Sequence, residues 1–269
     1  IIIECPFGSM RRTIQKRFEA LKVPSFPFAE LLMFYGGIQN GFNCFNHNPS
    51  EYSKQINQGL VPESLSSGAV YFHEIPKHRI ANVCCELYEE SPYNSRVMAP
   101  TKKLVQDINN QIQDAVNEHG EQLKFNLHGD EFHVKLRIND QILFTQNLYD
   151  KGINNGSLGE LTSVTSTEGS FGEVTLDTGD KVEITQQVLD GMELGYAITL
   201  HKAQGSQFPR VIIALQKGRI VDRAWLYTAI TRAENEIHIV GSSEDFKSII
   251  QSPSNSNKRN SYLYEMLRM

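Results

Sequence analysis

The sequence predicts an α/β fold interrupted by a β-rich insertion. Residues 69–116 and 197–241 alternate strand-like and helix-like patterns, as chains do when helices pack on a parallel sheet. Between them, over residues 131–185, short segments rich in β-branched residues are separated by Asn139-Asp140, Asn154-Asn155-Gly156, Glu168-Gly169 and Thr178-Gly179-Asp180. These are turn signals between short strands, and the texture predicts an inserted small β-barrel.

Residues 1–50 predict no definite element: apolar Ile1–Ile3, a basic stretch at Arg11, Arg12, Lys16 and Arg17, then proline-punctuated aromatics. Tyr52, Ile56 and Leu60 sit at helical spacing over Ser50–Gly59, with Asn57, Gly59 and Pro62 as the stop. Ala69–Ile75 alternates like a strand, and His78–Tyr88 places Ile80, Val83, Cys84 and Leu87 on one helix face. A strand over Ser95–Ala99 ends at Pro100. Thr101 then stands where a helix N-cap belongs, because its hydroxyl can accept from a free first-turn amide; Leu104, Ile108, Ile112 and Val116 follow at helical spacing. After the insertion come a strand at Ala197–Leu200, a polar loop, a buried strand at Arg210–Leu215, a helix over Ala224–Ala233 and a strand at Glu236–Gly241. Ser252–Asn260, rich in Ser and Asn, reads as a mobile loop.

The 269 residues are 40% hydrophobic and 21% charged, which excludes disordered and collagen-like chains. No stretch approaches the roughly 18 apolar residues of a membrane span, and no charged-then-apolar leader opens the sequence. A soluble, cytoplasmic protein with no membrane partner is expected. Cys5, Cys44, Cys84 and Cys85 match neither a disulfide framework nor a CxxC motif, and read as reduced thiols. The net charge of -5 hides an asymmetry. Asp and Glu outnumber Lys and Arg by 24 to 16 over residues 1–190, whereas Lys and Arg lead by 10 to 7 over 191–269. The chain opens on Ile1, and a piece of a longer polypeptide is expected.

Two blocks carry chemistry. Gly195-Tyr-Ala-Ile-Thr-Leu-His-Lys-Ala-Gln-Gly-Ser-Gln-Phe208 is a strand emptying into a loop that offers Thr199, His201, Lys202, Gln204 and Ser206 around a permissive Gly205. Leu226-Tyr-Thr-Ala-Ile-Thr-Arg-Ala-Glu234 is a helix that brings Tyr227, Thr231 and Arg232 near one face, where the arginine fork could grip a phosphate.

In this order and spacing, the blocks resemble motifs V and VI of superfamily 1 helicases, specifically the RecD type, the alpha subunit of exodeoxyribonuclease V and its relatives. The resemblance continues in Val97-Met-Ala-Pro-Thr-Lys-Lys103 with Ile108-Asn109. It also includes Arg137–Ile142, Asn147-Leu-Tyr149 and Asn155-Gly156 to Gly159. It spans residues 50–245 and is densest over 135–241. It implies a RecA-like second motor domain of the P-loop NTPase type, without its own P-loop, over 51–130 and 186–269, with the barrel inserted at 131–185. Residues 1–50 would be a remnant of a first motor domain.

The resemblance further implies that Arg232 is the arginine finger reaching the ATP γ-phosphate, supported by Tyr227. Gln204 and Gly205 would couple DNA to nucleotide, and Gln207 stands where the family commonly has Glu. The nucleotide-facing set is then Gln204, Gly205, Gln207, Tyr227 and Arg232. Thr101, Thr199, His201 and Lys202 would face single-stranded DNA, along which such enzymes generally move 5′ to 3′.

Departures lie upstream. A helicase needs a Gly-rich P-loop with Lys for the phosphates and an acidic pair for Mg²⁺, yet the chain has no Gly-Lys dipeptide. Ile1-Ile2-Ile3-Glu4 resembles the end of the acidic-pair strand but lacks the Asp-Glu pair, and no Arg occurs between Arg17 and Arg79. Asp130-Glu131-Phe132-His133 spells a DExH box in the wrong context and reads as turn plus strand; His73/His78 and His128/His133 lack a framework of further ligands. No metal is expected, and ATP with Mg²⁺ is expected only in a complete helicase. The expected function is the C-terminal motor half of an ATP-dependent DNA helicase acting in repair and recombination. It would be inactive as an ATPase without its first motor domain or partner subunits. The alternative is a non-enzymatic nucleic-acid-binding or assembly module descended from such a helicase.

Overall fold

A computed structural model describes residues 49–127, 130–167 and 169–252. Expectations for residues 1–48 and for the loop beyond Ser252 lie outside the described residues. The chain runs α1 (Pro49–Gln58), β1 (Val70–Glu74), a 3₁₀ turn (Lys77–Arg79), α2 (Ile80–Glu89), β2 (Ser95–Ala99) and α3 (Lys102–Val116). The β-rich block holds β3 (Gln122–Leu127), β4 (Asp130–Arg137), β5 (Gln141–Phe144), a 3₁₀ turn (Tyr149–Lys151), β6 (Leu158–Thr167), β7 (Ser170–Leu176), β8 (Lys181–Glu183), α4 (Gln186–Leu189) and β9 (Met192–Leu194). Then come β10 (Ala197–Thr199), β11 (Phe208–Ala214), α5 (Arg223–Ile230), β12 (Ala233–Gly241) and α6 (Ser243–Gln251).

β1, β12, β11, β2 and β10 form, in that order, a wholly parallel five-stranded sheet. Helices cover both faces, so its central strands are continuous apolar runs. Successive side chains alternate between two cores: Val211, Ile213, Ile237 and Ile239 meet the α1, α5 and α6 layer with Trp225 and Phe246. Ile212, Ala214 and Val240 meet α2 and α3 through Ile80, Cys84, Ile108 and Ile112. The arrangement is the expected α/β fold, a parallel RecA-like sheet with helices on both faces.

Side-chain caps set the helix starts. Thr101 accepts from the Leu104 amide at 3.3 Å, Asp222 from Trp225 at 2.8 Å and Ser242 from Glu244 at 3.2 Å. Leu60, expected on the buried face of the first helix, is 56% exposed, because α1 stops at Gln58 and Gly59 turns the chain at φ 81°. The helix expected to reach Ala233 stops at Ile230, since Ala233 must pair in register with Phe208.

The β-rich block is wider than 131–185. Its strands run from Gln122 to Leu194 as an antiparallel sheet ordered β8-β7-β6-β5-β9 and a separate β3–β4 hairpin. Leu123 and Leu136 of the hairpin share a core with Ile142, Leu161, Val174 and Val182 of the sheet. The sheet order is open, with β8 and β9 at its ends and no strand pairing that closes it into a barrel among the described residues. Asp130 and Glu131 begin β4, opposite Leu127 and Asn126, so the DExH-like stretch is hairpin strand.

A polar knot fuses block and sheet. Asp140, wholly buried, accepts from Gln113 at 2.5 Å, Asn117 at 2.6 Å, the Arg137 amide at 2.7 Å and the Tyr196 hydroxyl at 2.7 Å. Burial pushes its carboxyl above the usual carboxylate range, and these four donors pull the other way. Asn109 of α3 donates to the carbonyls of Leu194 and Ala197 and accepts from the Ala197 amide. Buried Arg96 donates to the Gly195 carbonyl and lies over the Phe208 ring. A second polar cluster ties the β1 edge to β12. His73 Nε2 is 2.9 Å from His238 Nδ1, and His238 Nε2 is 2.6 Å from Glu236 Oε1. Arg210, itself bonded to Glu90 at 2.7 Å, places its Nε 3.5 Å from the same Glu236 oxygen.

Asp140→Asn puts an amide NH₂ where either oxygen now receives two donors. The expected loss is about 2–4 kcal/mol, read as a lower urea midpoint at neutral pH. Burial lowers the pKa of both His73 and His238, so the unfolded chain takes up protons first as pH falls. The histidines' contribution is therefore complete above the unfolded value of about 6.5 and is lost as pH drops toward the folded values. The urea midpoint should decline below about pH 6.5, less steeply in His73→Gln; equal slopes would place the acid sensitivity elsewhere.

Candidate functional site

The register Ala99↔Thr199 places the carboxyl ends of β2 and β10 side by side. Thr101 and His201 each follow that pair by two residues, so four expected positions, Thr101, Thr199, His201 and Lys202, gather at one end of the sheet. Thr101 and His201 are exposed; Thr199 and Lys202 are half-buried. Thr101 uses its hydroxyl for the α3 cap, which fixes its place at the rim. The Thr199 carbonyl receives the Lys202 amide at 2.9 Å and turns the chain out of the strand.

Arg232 lies elsewhere. Thr199 is level with Ala99, whereas Arg210 is level with Ser95 and Phe208 lies two residues further back. At about 3.3 Å per residue, the loop of residues 200–207 therefore carries the chain about 20 Å along the sheet, from the carboxyl end of β10 to the amino end of β11. There the Phe208 amide donates to the Arg232 carbonyl at 2.9 Å. The guanidinium donates through Nη1 to the Ser206 carbonyl at 3.2 Å and through Nε to Thr228 at 3.4 Å. The arginine thus holds the loop's far end while part of its surface stays accessible to water. Gln204, Gly205 and Gln207 are exposed along the loop. Gly205 adopts φ 91° with nothing within 4 Å of a would-be Cβ, so backbone conformation alone demands glycine. Tyr227 is half-buried on α5 and packs against the apolar core beneath.

A cleft of about 600 Å³ opens between α3, the β3–β4 hairpin, the antiparallel sheet and the loop. Lys102, Lys135 and Lys202 line it together with Thr199, Thr145 and one carboxylate, Glu193. The β-rich block also grips the loop: Lys202 Nζ bonds Asn155 Oδ1, and a Cβ at Gly156 would sit 3.1 Å from the Lys202 carbonyl. Lys102, Lys135 and Asn155 were not singled out as candidates by sequence. Asn155 and Lys102 lie in segments that carry the resemblance, but as part of a turn signal and of a helix's first turn, and neither pattern says what tertiary packing brings near.

The donor set suits anions. Arg232 offers a planar fork and the cleft offers three ammonium groups. Among the described residues no group of three or more His, Cys, Asp or Glu is placed to hold a metal ion. No helix among them is long and apolar enough to cross a membrane.

Residues 194–240, which carry both blocks, match the UvrD-like helicase C-terminal domain. The ATP-dependent RecD2 DNA helicase of Deinococcus radiodurans is 35% identical over 134 residues, covering 49% of this chain and 18% of that protein. The RecBCD enzyme subunit RecD of Mycolicibacterium smegmatis is 31% identical over 112 residues, 41% of this chain and 19% of that one. The chain therefore spans about a fifth of the length of these two relatives. A Bacteroides Pif1 helicase crystallised with ADP-AlF3 and ssDNA superposes with a TM-score of 0.51 at 20% identity, covering 84% of this chain and 55% of that one. At that identity the likeness is one of fold.

Gly205→Ala should cost about 1 kcal/mol of stability, seen as a lower melting temperature, and Gly205→Asn less, because asparagine tolerates positive φ better. Equal melting of all three proteins would mean that the loop does not need this conformation. Block order, parallel sheet and sequence relatives converge: the chain carries a superfamily-1-like helicase domain related to the RecD- and UvrD-type helicases.

Proposed function

We propose that this chain is the C-terminal motor half of a RecD-type, ATP-dependent DNA helicase. Its residues 200–207 are the motif V loop and Arg232 is the motif VI arginine finger. The observation that carries this reading is the bond from Arg232 to the Ser206 carbonyl. It joins a phosphate-seeking side chain to the loop whose other end lies at the lysine-lined cleft. In the complete enzyme the guanidinium would meet the ATP γ-phosphate held by the first motor domain and stabilise the charge of phosphoryl transfer. Thr101, Thr199, His201 and Lys202 would bear on the backbone of a single DNA strand. Gln204, Gly205 and Gln207 would transmit the displacement between them, and Tyr227 would support the arginine from α5. Residues 51–121 and 195–252 form the motor unit in this reading, with the β-rich block of residues 122–194 as its insertion. The P-loop and Mg²⁺ ligands come from the first motor domain or a partner subunit.

Fluorescence anisotropy with oligo-deoxythymidine across a salt series tests the DNA-facing half. Three lysines predict a log–log salt slope of about −2 for a single strand. Lys202→Ala should reduce that slope by about 0.7 and His201→Ala should weaken binding, whereas Arg232→Ala should leave it unchanged. Absence of salt-sensitive binding would overturn the reading. The chain alone should hydrolyse no ATP. Joined to a first motor domain bearing a P-loop, it should hydrolyse ATP at a rate that Arg232→Ala lowers about 10³-fold. DNA binding with no ATPase in that combined protein would favour the non-enzymatic module instead.

A further inference from the structure

The connection between β5 and β6 makes a second, much tighter turn that neither the sheet nor the motor core uses. Leu148 and Ile153 pair backbone to backbone at 2.8 and 3.1 Å, and both are buried, the former 7% and the latter 0% exposed. Between these anchors Tyr149-Asp150-Lys151 forms a 3₁₀ turn closed by Gly152 at φ 70°. The result is a short, clamped tip. Tyr149 occupies it with 76% of its surface exposed, and its side chain makes no hydrogen bond, ion pair or ring contact with the described residues. Two nearby apolar side chains go inward, and the largest ring of the turn goes out.

The tip is fixed to the lysine cleft. Asn147 Oδ1 accepts the Asn155 amide at 2.7 Å, and Asn155 Oδ1 in turn accepts from Lys202 Nζ. Thr145, at the start of the same connection, lines the cleft with Lys202. Tyr149 is two residues beyond Asn147, at most about 7 Å of chain. An exposed aromatic ring on a clamped turn that is hydrogen-bonded to a lysine-lined cleft has the two parts with which proteins bind single strands: charges that track the backbone, and a ring on which a base lies.

We propose that Tyr149 is a stacking platform for one nucleobase of the single strand whose backbone occupies the adjoining cleft. This rests on the proposed function and adds a base contact to its phosphate contacts. Stacking uses the π-face that every base has, so the site is tolerant of sequence.

The test measures anisotropy of the full chain with oligo-deoxythymidine and with an abasic oligomer of equal length. Tyr149→Ala should weaken binding to oligo-deoxythymidine roughly tenfold, and Tyr149→Phe, which keeps the ring, should bind as the parent does. Against the abasic oligomer the parent and Tyr149→Ala should be indistinguishable. Tyr93→Ala removes an equally exposed ring from the far end of β2 and should change neither titration. Equal affinity of parent and Tyr149→Ala for oligo-deoxythymidine overturns the stacking site and leaves the proposed function standing. So does a Phe variant as weak as the Ala variant, or a Tyr149→Ala loss that persists on the abasic oligomer. A parent that binds neither oligomer overturns the proposed function, and the stacking site with it.

Discussion

The fold depends on one buried carboxylate. Asp140 sits at the turn between β4 and β5, yet its donors come from α3, from its own turn and from Tyr196 at the return to the parallel sheet. Taking a carboxylate out of water is costly, and the four donors offset that cost only if all of them arrive together. The β-rich block can therefore leave and rejoin the sheet in one geometry only. Gly195, whose Cβ would meet the Ile142 backbone at 2.8 Å, and Asn109, which spans Leu194 and Ala197, tighten the same seam. Because the block is fused this way, the cleft between it and α3 has fixed walls.

The parallel sheet adds a second constraint. β2 lies between β10 and β11, and all three run the same way, so the chain leaving β10 must return to the opposite end before it can enter β11. The loop of residues 200–207 has no freedom to be local. One end must lie beside Thr101 and the other beside Arg232. In the proposed function, separation of the set that would face the strand from the set that would face nucleotide follows from topology, and coupling between them would run through these eight residues.

Most of the motor architecture was legible in the sequence, because its helices and strands show their periods. Ser95–Ala99 matches the expected strand residue for residue, and Ile80, Val83, Cys84 and Leu87 are buried on one helix face as the spacing required. Thr101 caps its helix through a contact only three residues away. What stayed hidden depends on distance in sequence. β3 does alternate, with Leu123, Phe125 and Leu127 between Gln122, Lys124 and Asn126, whereas β9 is three residues long and is defined by its pairing with β5, so the block extends beyond the 131–185 that the turn signals mark. Asp140 read as a turn residue because nothing local reveals that Tyr196, 56 positions later, donates to it. For the same reason the motif blocks could be read as a site, while Lys102, Lys135 and Asn155 could not.

Lys202 is where these constraints meet. Its backbone begins the crossing loop, its stem lines the cleft and its ammonium bonds Asn155 of the β-rich block. An ammonium has three donors, so a phosphate in the cleft could be bound beside Asn155 without displacing it. A shift of the loop along the sheet is different. It would carry Lys202 past Gly156, where a Cβ would already stand 3.1 Å from the lysine carbonyl, and would strain the Asn155 bond. In the proposed motor the block would then resist loop displacement when no phosphate holds Lys202. A bound strand would offset that resistance by supplying a new acceptor along the path. The insertion, on this argument, sets how readily the loop responds to Arg232 as well as forming a wall of the cleft.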